Sequence, residues 1–170
     1  MSKCFIVLGM HRSATSLVSK GLSKSDINMG SSMLQADASN LFGHWEDTDF
    51  LNLNKSIISD AGGDWDNPPP ENKIIEVGKN YKEEIKRLIA SKKKPLWGWK
   101  DPRTTLTIRL FMPYLENPHW ITCFRQPEQV AESLLIRNNF PISKGLALCK
   151  EYNQRLLRFL IYHGGISNVA

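Results

Sequence analysis

No apolar run in this 170-residue chain approaches the roughly 20 residues that cross a bilayer. The N-terminal run Cys4-Phe5-Ile6-Val7-Leu8-Gly9-Met10 is cut off by His11-Arg12, which speaks against a signal peptide and for a cytoplasmic setting. Cysteine is scarce. Cys4, Cys123 and Cys149 are odd in number and far apart, which excludes a disulfide framework and a zinc knuckle on spacing grounds. No repeat, low-complexity tract, or RNA- or DNA-binding motif is present, so nucleic acid is not an expected partner. The first 25 residues contain four Lys/Arg and no acid; residues 26–71 carry nine acids and one Lys; residues 72–170 carry seventeen bases and eight acids. With a net charge of +5, this asymmetry points to an anionic ligand held by the two basic portions. Lys92-Lys93-Lys94 is read as a solvated helix end that complements the dipole.

What is present reads as one α/β domain over 1–170. The continuous apolar run at 4–9 marks a strand buried on both faces. A helix from about Thr15 to Leu22 and a loop-rich stretch at 23–45 follow. Phe50, Leu53, Ile57, Ile58 and Ala61 recur at helical spacing from Glu46, and Gly62-Gly63 closes that helix. Asp66 to Pro70 reads as a rigid connector. Further helices are expected at Tyr81–Ile89, at Thr104–Leu115 with a break at Pro113, after Pro127 with Val130, Leu134 and Leu135 inward, and from a Ser143 cap with Leu146, Cys149, Tyr152, Leu156 and Leu160 inward. Leu96–Lys100 and His119–Phe124 complete three strands. Strands alternating with helices predict a three-layer α/β/α arrangement around a short parallel sheet.

The segment Gly9-Met10-His11-Arg12-Ser13-Ala14-Thr15-Ser16 joins a buried strand to a helix, as a nucleotide-binding loop does. Gly9 and Ser16 fall in register with G-x-x-x-x-G-K-[ST], but Ala14 replaces the second glycine and Thr15 the lysine. Loss of the lysine disfavours a triphosphate, while Arg12 supplies charge within the loop. Arg125 follows a strand with Ser133 eight residues on, a pair able to grip one phosphate. Lys100, Asp101 and Arg103 crowd the carboxyl end of another strand, the edge where open α/β sheets bind ligands.

These segments resemble the sulfotransferase family that uses 3′-phosphoadenosine 5′-phosphosulfate, over about residues 4–160. The loop His11-Arg12-Ser13-Ala14-Thr15-Ser16 is similar to that family's phosphosulfate loop H-R-S-G-T-S, and Arg125 with Ser133 to its 3′-phosphate motif. Gly43-His44-Trp45-Glu46-Asp47 and Trp99-Lys100-Asp101-Pro102-Arg103 resemble segments of its bacterial and carbohydrate-type branches. The resemblance implies a P-loop-like fold and metal-free sulfuryl transfer to a hydroxyl or amine of a small-molecule, lipid or carbohydrate acceptor, leaving adenosine 3′,5′-bisphosphate. It implies cofactor contacts at His11, Arg12, Ser13, Ala14, Thr15, Ser16, Arg125 and Ser133. Catalytic roles are expected for Arg12 and Lys100 as cations and for Glu46 or Asp101 as base, with His11 and His44 as lesser candidates. Trp45, Trp65, Trp97 and Trp99 divide between stacking surface and core. The chain departs from the family at Ala14 and in stopping soon after the helix near 143–162, the expectation being a C-terminally shortened member. Two alternatives stay open: a non-catalytic relative that binds a bisphosphate nucleotide, and a kinase-like protein with Asp101 as the magnesium acid.

Overall fold

The computed structural model describes residues 2–34 and 43–164. Its frame is a three-stranded parallel sheet in the order β2-β1-β3, built from β1 (Lys3–Gly9), β2 (Leu96–Lys100) and β3 (Pro118–Cys123). Val7 is in register with Lys100 and Gly9 with Cys123, so the carboxyl ends of all three strands meet at one edge.

β1 is central because it can bury both faces. Cys4, Ile6 and Leu8 enter the main core, while Val7 enters a second cluster with Ile27, Met29 and Cys123. The second cluster is roofed by Val18 and Leu22 of α1 (Thr15–Lys24). The main core takes the inner faces of α2 (Thr48–Asp60), α5 (Thr104–Phe111), α6 (Pro127–Asn138) and α7 (Ile142–Phe159). The fold is therefore mixed α/β, with apolar clusters on both sheet faces. Phe50 stacks on Trp99 at 4.2 Å between ring centroids, with Phe111 against both, which makes Trp97 and Trp99 core residues.

Two glycines set close backbone approaches. A Cβ at Gly98 would overlap the Phe5 carbonyl in the neighbouring strand. At Gly145 it would come within 2.6 Å of Ala131 Cα, so this residue lets α6 and α7 pack tightly.

Several expectations need correction. α3 (Glu71–Gly78) was not anticipated: it is only eight residues long, buries Ile74 and Gly78, and starts directly after Pro70, leaving little periodicity to read. α4 spans Lys82–Lys92, and its last lysine is no solvated terminus. Lys92 is largely buried and bonds Asp47 Oδ2 at 2.8 Å, Asp49 and Ser31. Asp47 also caps α2 through the Asp49 amide and receives the Ser31 amide, so a single carboxylate-lysine pair joins three segments. Helix α2 accordingly begins at Thr48 rather than Glu46. The last helix starts at Ile142, with Pro141 rather than Ser143 at the N-cap position and no side-chain cap, because the extended backbone at the proline already sets the entry. Its inner face is Leu148, Cys149, Tyr152, Leu156 and Phe159, with Leu146 and Leu160 only half-buried. Leu135 faces outward, as the α6 stripe that meets Gly145 runs through Val130, Ala131 and Leu134. The stretch 35–42 of the expected loop lies outside the described residues. Pro113 does end its helix: α5 stops at Phe111 and a 3-10 turn covers Met112–Tyr114.

Gly98→Ala should lower unfolding stability by at least about 2 kcal/mol, since overpacking here can be relieved only by separating two paired strands. Urea denaturation reads the difference; a loss within error would show that the β1–β2 spacing is adjustable.

Candidate functional site

The chain leaves β1 at Gly9, whose missing Cβ leaves room for the Cys123 carbonyl (2.6 Å) at the end of β3. Thr105 of α5 fixes this exit, accepting from the Gly9 amide at 3.0 Å and donating to its carbonyl at 3.3 Å. The turn into α1 then requires left-handed backbone at Arg12 (φ 68°) and at Ala14 (φ 62°). Ala14 is the residue immediately preceding α1, where glycine would carry no steric cost. The first amides of α1 have no intrahelical acceptors and, with the helix dipole, favour an anion at this end.

A cleft of about 540 Å³ opens in front of this turn. Among the described residues its lining includes four cations, Arg12, Lys20, Arg125 and Arg137, and no Asp or Glu. Ala14, Leu17, Trp45 and Pro102 add apolar surface to the lining. Leu17 is 71% exposed. His11, Thr15, Ser16, Gly43 and His44 complete the lining.

Residues far apart in sequence converge on Arg12. Its Nε donates to Ser133 Oγ at 2.7 Å, and Arg125 donates from a terminal guanidinium nitrogen to the Arg12 carbonyl at 3.0 Å. The structure thus brings Arg12, Arg125 and Ser133 into one unit, rather than Arg125 and Ser133 as a separate pair. Burial and the neighbouring Arg137 and Arg125 lower the Arg12 pKa. Ser13 is buried, and its amide closes the turn onto Met10.

Behind the loop lies a buried cluster of two cations and two acids. Lys100 Nζ bonds Glu46 Oε1 at 2.8 Å and reaches Ser16 Oγ at 3.1 Å, at the cleft wall. A strand-end lysine therefore stands next to the loop that lacks its own. Burial pulls the Lys100 pKa down, with Glu46 opposing. Asp101 is fully buried: its Oδ1 holds Arg103 at 2.9 Å and its Oδ2 accepts from Asn54 at 2.9 Å. Burial pushes its carboxyl up, Arg103 pulls it down. Of the two candidate bases, Glu46 is joined to the cleft through Lys100 and Ser16, whereas Asp101 faces Asn54 and Arg103. Among the described residues no group of three or more His, Cys, Asp and Glu side chains could hold a metal ion.

His11 lines the cleft with its ring against Trp65 (4.4 Å between centroids) and edge-on to Tyr152 (6.1 Å). Trp65 is in turn held by Phe140 and by Tyr152, whose hydroxyl donates to the Trp65 carbonyl at 2.9 Å. Burial, then Arg103, Lys100, Arg137 and Arg12, hold the His11 pKa well below 6.5. Trp45 is the tryptophan that faces the cleft; the segment bearing it is tied to α1 by Ser16 to the His44 carbonyl and Ser19 to the Trp45 carbonyl.

The sequence did not single out Lys20, Leu17 or Arg137. Arg137 could have been found from its place one helical turn after Ser133; for Lys20 and Leu17 only their positions on α1 would have served. No family model, curated protein or solved structure matches this chain. No helix is long and apolar enough to cross a membrane among the described residues.

Ala14→Gly should stabilise the fold by about 1 kcal/mol, because only the alanine pays for left-handed backbone; chemical denaturation measures it. The His11 pKa also fixes a sign. The unfolded chain binds the imidazole proton more readily, so stability falls as pH drops below the ordinary value of 6.5 toward the folded-state pKa. His11→Gln should flatten that part of the acid limb in a stability-versus-pH series.

Proposed function

We propose that this protein is a sulfotransferase-like enzyme with a P-loop-like fold, taking 3′-phosphoadenosine 5′-phosphosulfate as sulfuryl donor. The observation that carries this reading is the convergence of Arg125 and Ser133 on Arg12, two of these three residues lining a cleft that also takes Lys20 and Arg137. Four lining cations, Arg12, Lys20, Arg125 and Arg137, suit a nucleotide bearing two separate anionic groups. The apolar lining residues Leu17, Trp45 and Pro102 suit a base or an uncharged acceptor.

When bound, the donor supplies a sulfuryl group already attached to a phosphate leaving group. The chain's own residues bind and orient it. Arg12 and the amides at the start of α1 hold anionic oxygens at the loop, with Lys100 behind Ser16 adding a fixed charge. Such prearranged donors stabilise developing charge without reorganisation, the largest ordinary source of transition-state stabilisation. Arg125 and Ser133 hold the second phosphate. Glu46, joined to the cleft through Lys100 at 2.8 Å and Ser16, is the carboxylate we assign as proton acceptor, with Arg103 at 3.9 Å on its other oxygen.

Thermal unfolding with adenosine 3′,5′-bisphosphate and with ATP, each with and without Mg²⁺, tests the reading. At about 100 times its Kd, the bisphosphate should add roughly 2.7 kcal/mol without metal. Stabilisation by Mg-ATP alone would favour a kinase-like protein, and a response to neither would overturn a nucleotide site. Arg125→Ala should weaken the 3′,5′-bisphosphate at least about tenfold more than 5′-AMP; equal losses would remove Arg125 from the 3′-phosphate.

A further inference from the structure

We propose that the outer edge of β3 is a docking edge for a second copy of this chain, the two β3 strands pairing antiparallel about a twofold axis at Ile121. This goes beyond the donor assignment and does not rest on it.

The two edges of the sheet are finished differently. Along β2, Asn28 closes the outer edge: its amide donates to the Leu96 carbonyl at 3.1 Å, and its carbonyl accepts from the Gly98 amide at 2.9 Å. Along β3 no segment does this among the described residues. In a parallel ladder, alternate residues turn their backbone groups to opposite sides. The Cys4 amide donates to the Asn117 carbonyl at 3.3 Å, so the odd-numbered residues of β3 serve β1. Pro118, Trp120 and Thr122 therefore turn their backbone groups outward. Pro118 stands where a missing N–H breaks no bond to β1.

A flat, neutral outer strand is an association hazard that proteins normally block with charge, a bulge or a cover. β3 has no charged side chain from Pro118 to Cys123, and its register with β1 is unbroken. All of its residues but the last are half-buried, whereas β1 is buried over most of its length. Phe124, directly after the strand, adds an apolar side chain that is 48% exposed.

This edge fits its own copy. With Ile121 on the axis, Trp120 pairs with Thr122 of the partner subunit and Thr122 with the partner's Trp120, so every outward N–H of the strand meets a carbonyl. Within the strands no like charges are opposed, and the flanks complement each other. Glu116, bonded to Lys93 at 2.7 Å yet 70% exposed, precedes β3, and Arg125 follows it. The antiparallel sense brings the acid-bearing end of one strand to the Arg125 end of the other. Such a contact is isologous and closes on itself, joining two sheets in the order β2-β1-β3-β3-β1-β2. The two clefts then lie at opposite ends of the joined sheet, because each sits at the carboxyl ends of its own strands.

Sedimentation velocity on the full chain reads the association, and a species of twice the 19.4 kDa chain mass is expected. Thr122→Pro removes one outward donor from each copy without touching a bond to β1, and should weaken the dimer at least about tenfold. Should that variant fail to fold, cross-linking reads the register. Ile121→Cys sets two thiols opposite each other in a non-hydrogen-bonded antiparallel pair. It should form an interchain disulfide at least about tenfold faster than Thr122→Cys, which faces Trp120 of the partner subunit. Hydrogen exchange on the unaltered chain identifies what covers the edge: in the dimer the Trp120 and Thr122 amides should be protected. Protection of these amides in a chain that sediments as a monomer means that the chain covers its own edge, and rapid exchange means that nothing does. Either result, association that continues beyond the dimer, or equal cross-linking by the two variants overturns the proposal.

Discussion

The four-charge cluster of Lys100, Glu46, Arg103 and Asp101 is the constraint on which the site depends. It lies at the carboxyl end of β2 and ties that end to the segment before α2 and, through Ser16, to α1. Burying four charges is costly, and removing one partner from such a pair is costlier still, commonly about 3–5 kcal/mol. The cluster persists because every member has an opposite charge in reach and Asp101 also accepts from Asn54. Its reward is positional. It fixes where His44 and Trp45 run past α1, and it sets a lysine behind a loop that has none.

The same logic recurs on a smaller scale at Asp47 and Lys92. Asp47 is fully buried, and Lys92, the caps of α2 and the Ser31 amide all converge on it. Glu46 and Asp47 are adjacent, so one clamp on each side holds this short stretch. The loop opposite is held by different means: left-handed backbone at Arg12 and Ala14, and the Thr105 hydroxyl on Gly9. Polar anchors surround a cleft whose lining, among the described residues, carries cations and no acid. That division of labour allows a strongly anionic ligand to meet cations while the compensating carboxylates stay out of its way.

His11 and Trp65 connect the cleft to α7. Trp65 begins the stretch leading into the proline connector, which is pinned by Tyr152 to the Trp65 carbonyl, by Arg155 to the Pro69 carbonyl and by Lys144 to Asp66. The C-terminal helix thereby braces the back of the ligand loop through one aromatic stack. This is a long-range arrangement, linking residues near 11, 65 and 152.

The local pattern of the sequence determined the parallel sheet, the strand-turn-helix at 9–16 and the stop at Pro113, because burial of a strand and proline's missing amide are properties of neighbours in the chain. That Ala14 stands where the compared motifs carry glycine was legible in the sequence, whereas its left-handed backbone was not. Tertiary structure decided everything that needed partners. Lys92 is intrinsically a solvated helix end until Asp47 and Asp49 meet it, and Ser143 yields the N-cap position to Pro141. Glu46 and Asp101 look equivalent as carboxylates; only packing gives one a route to Ser16 through Lys100 and turns the other to Asn54. Arg12 and the Arg125–Ser133 pair are two separate signals until parallel strand order brings their ends to one edge, because register and crossover, not spacing, set distances across a sheet.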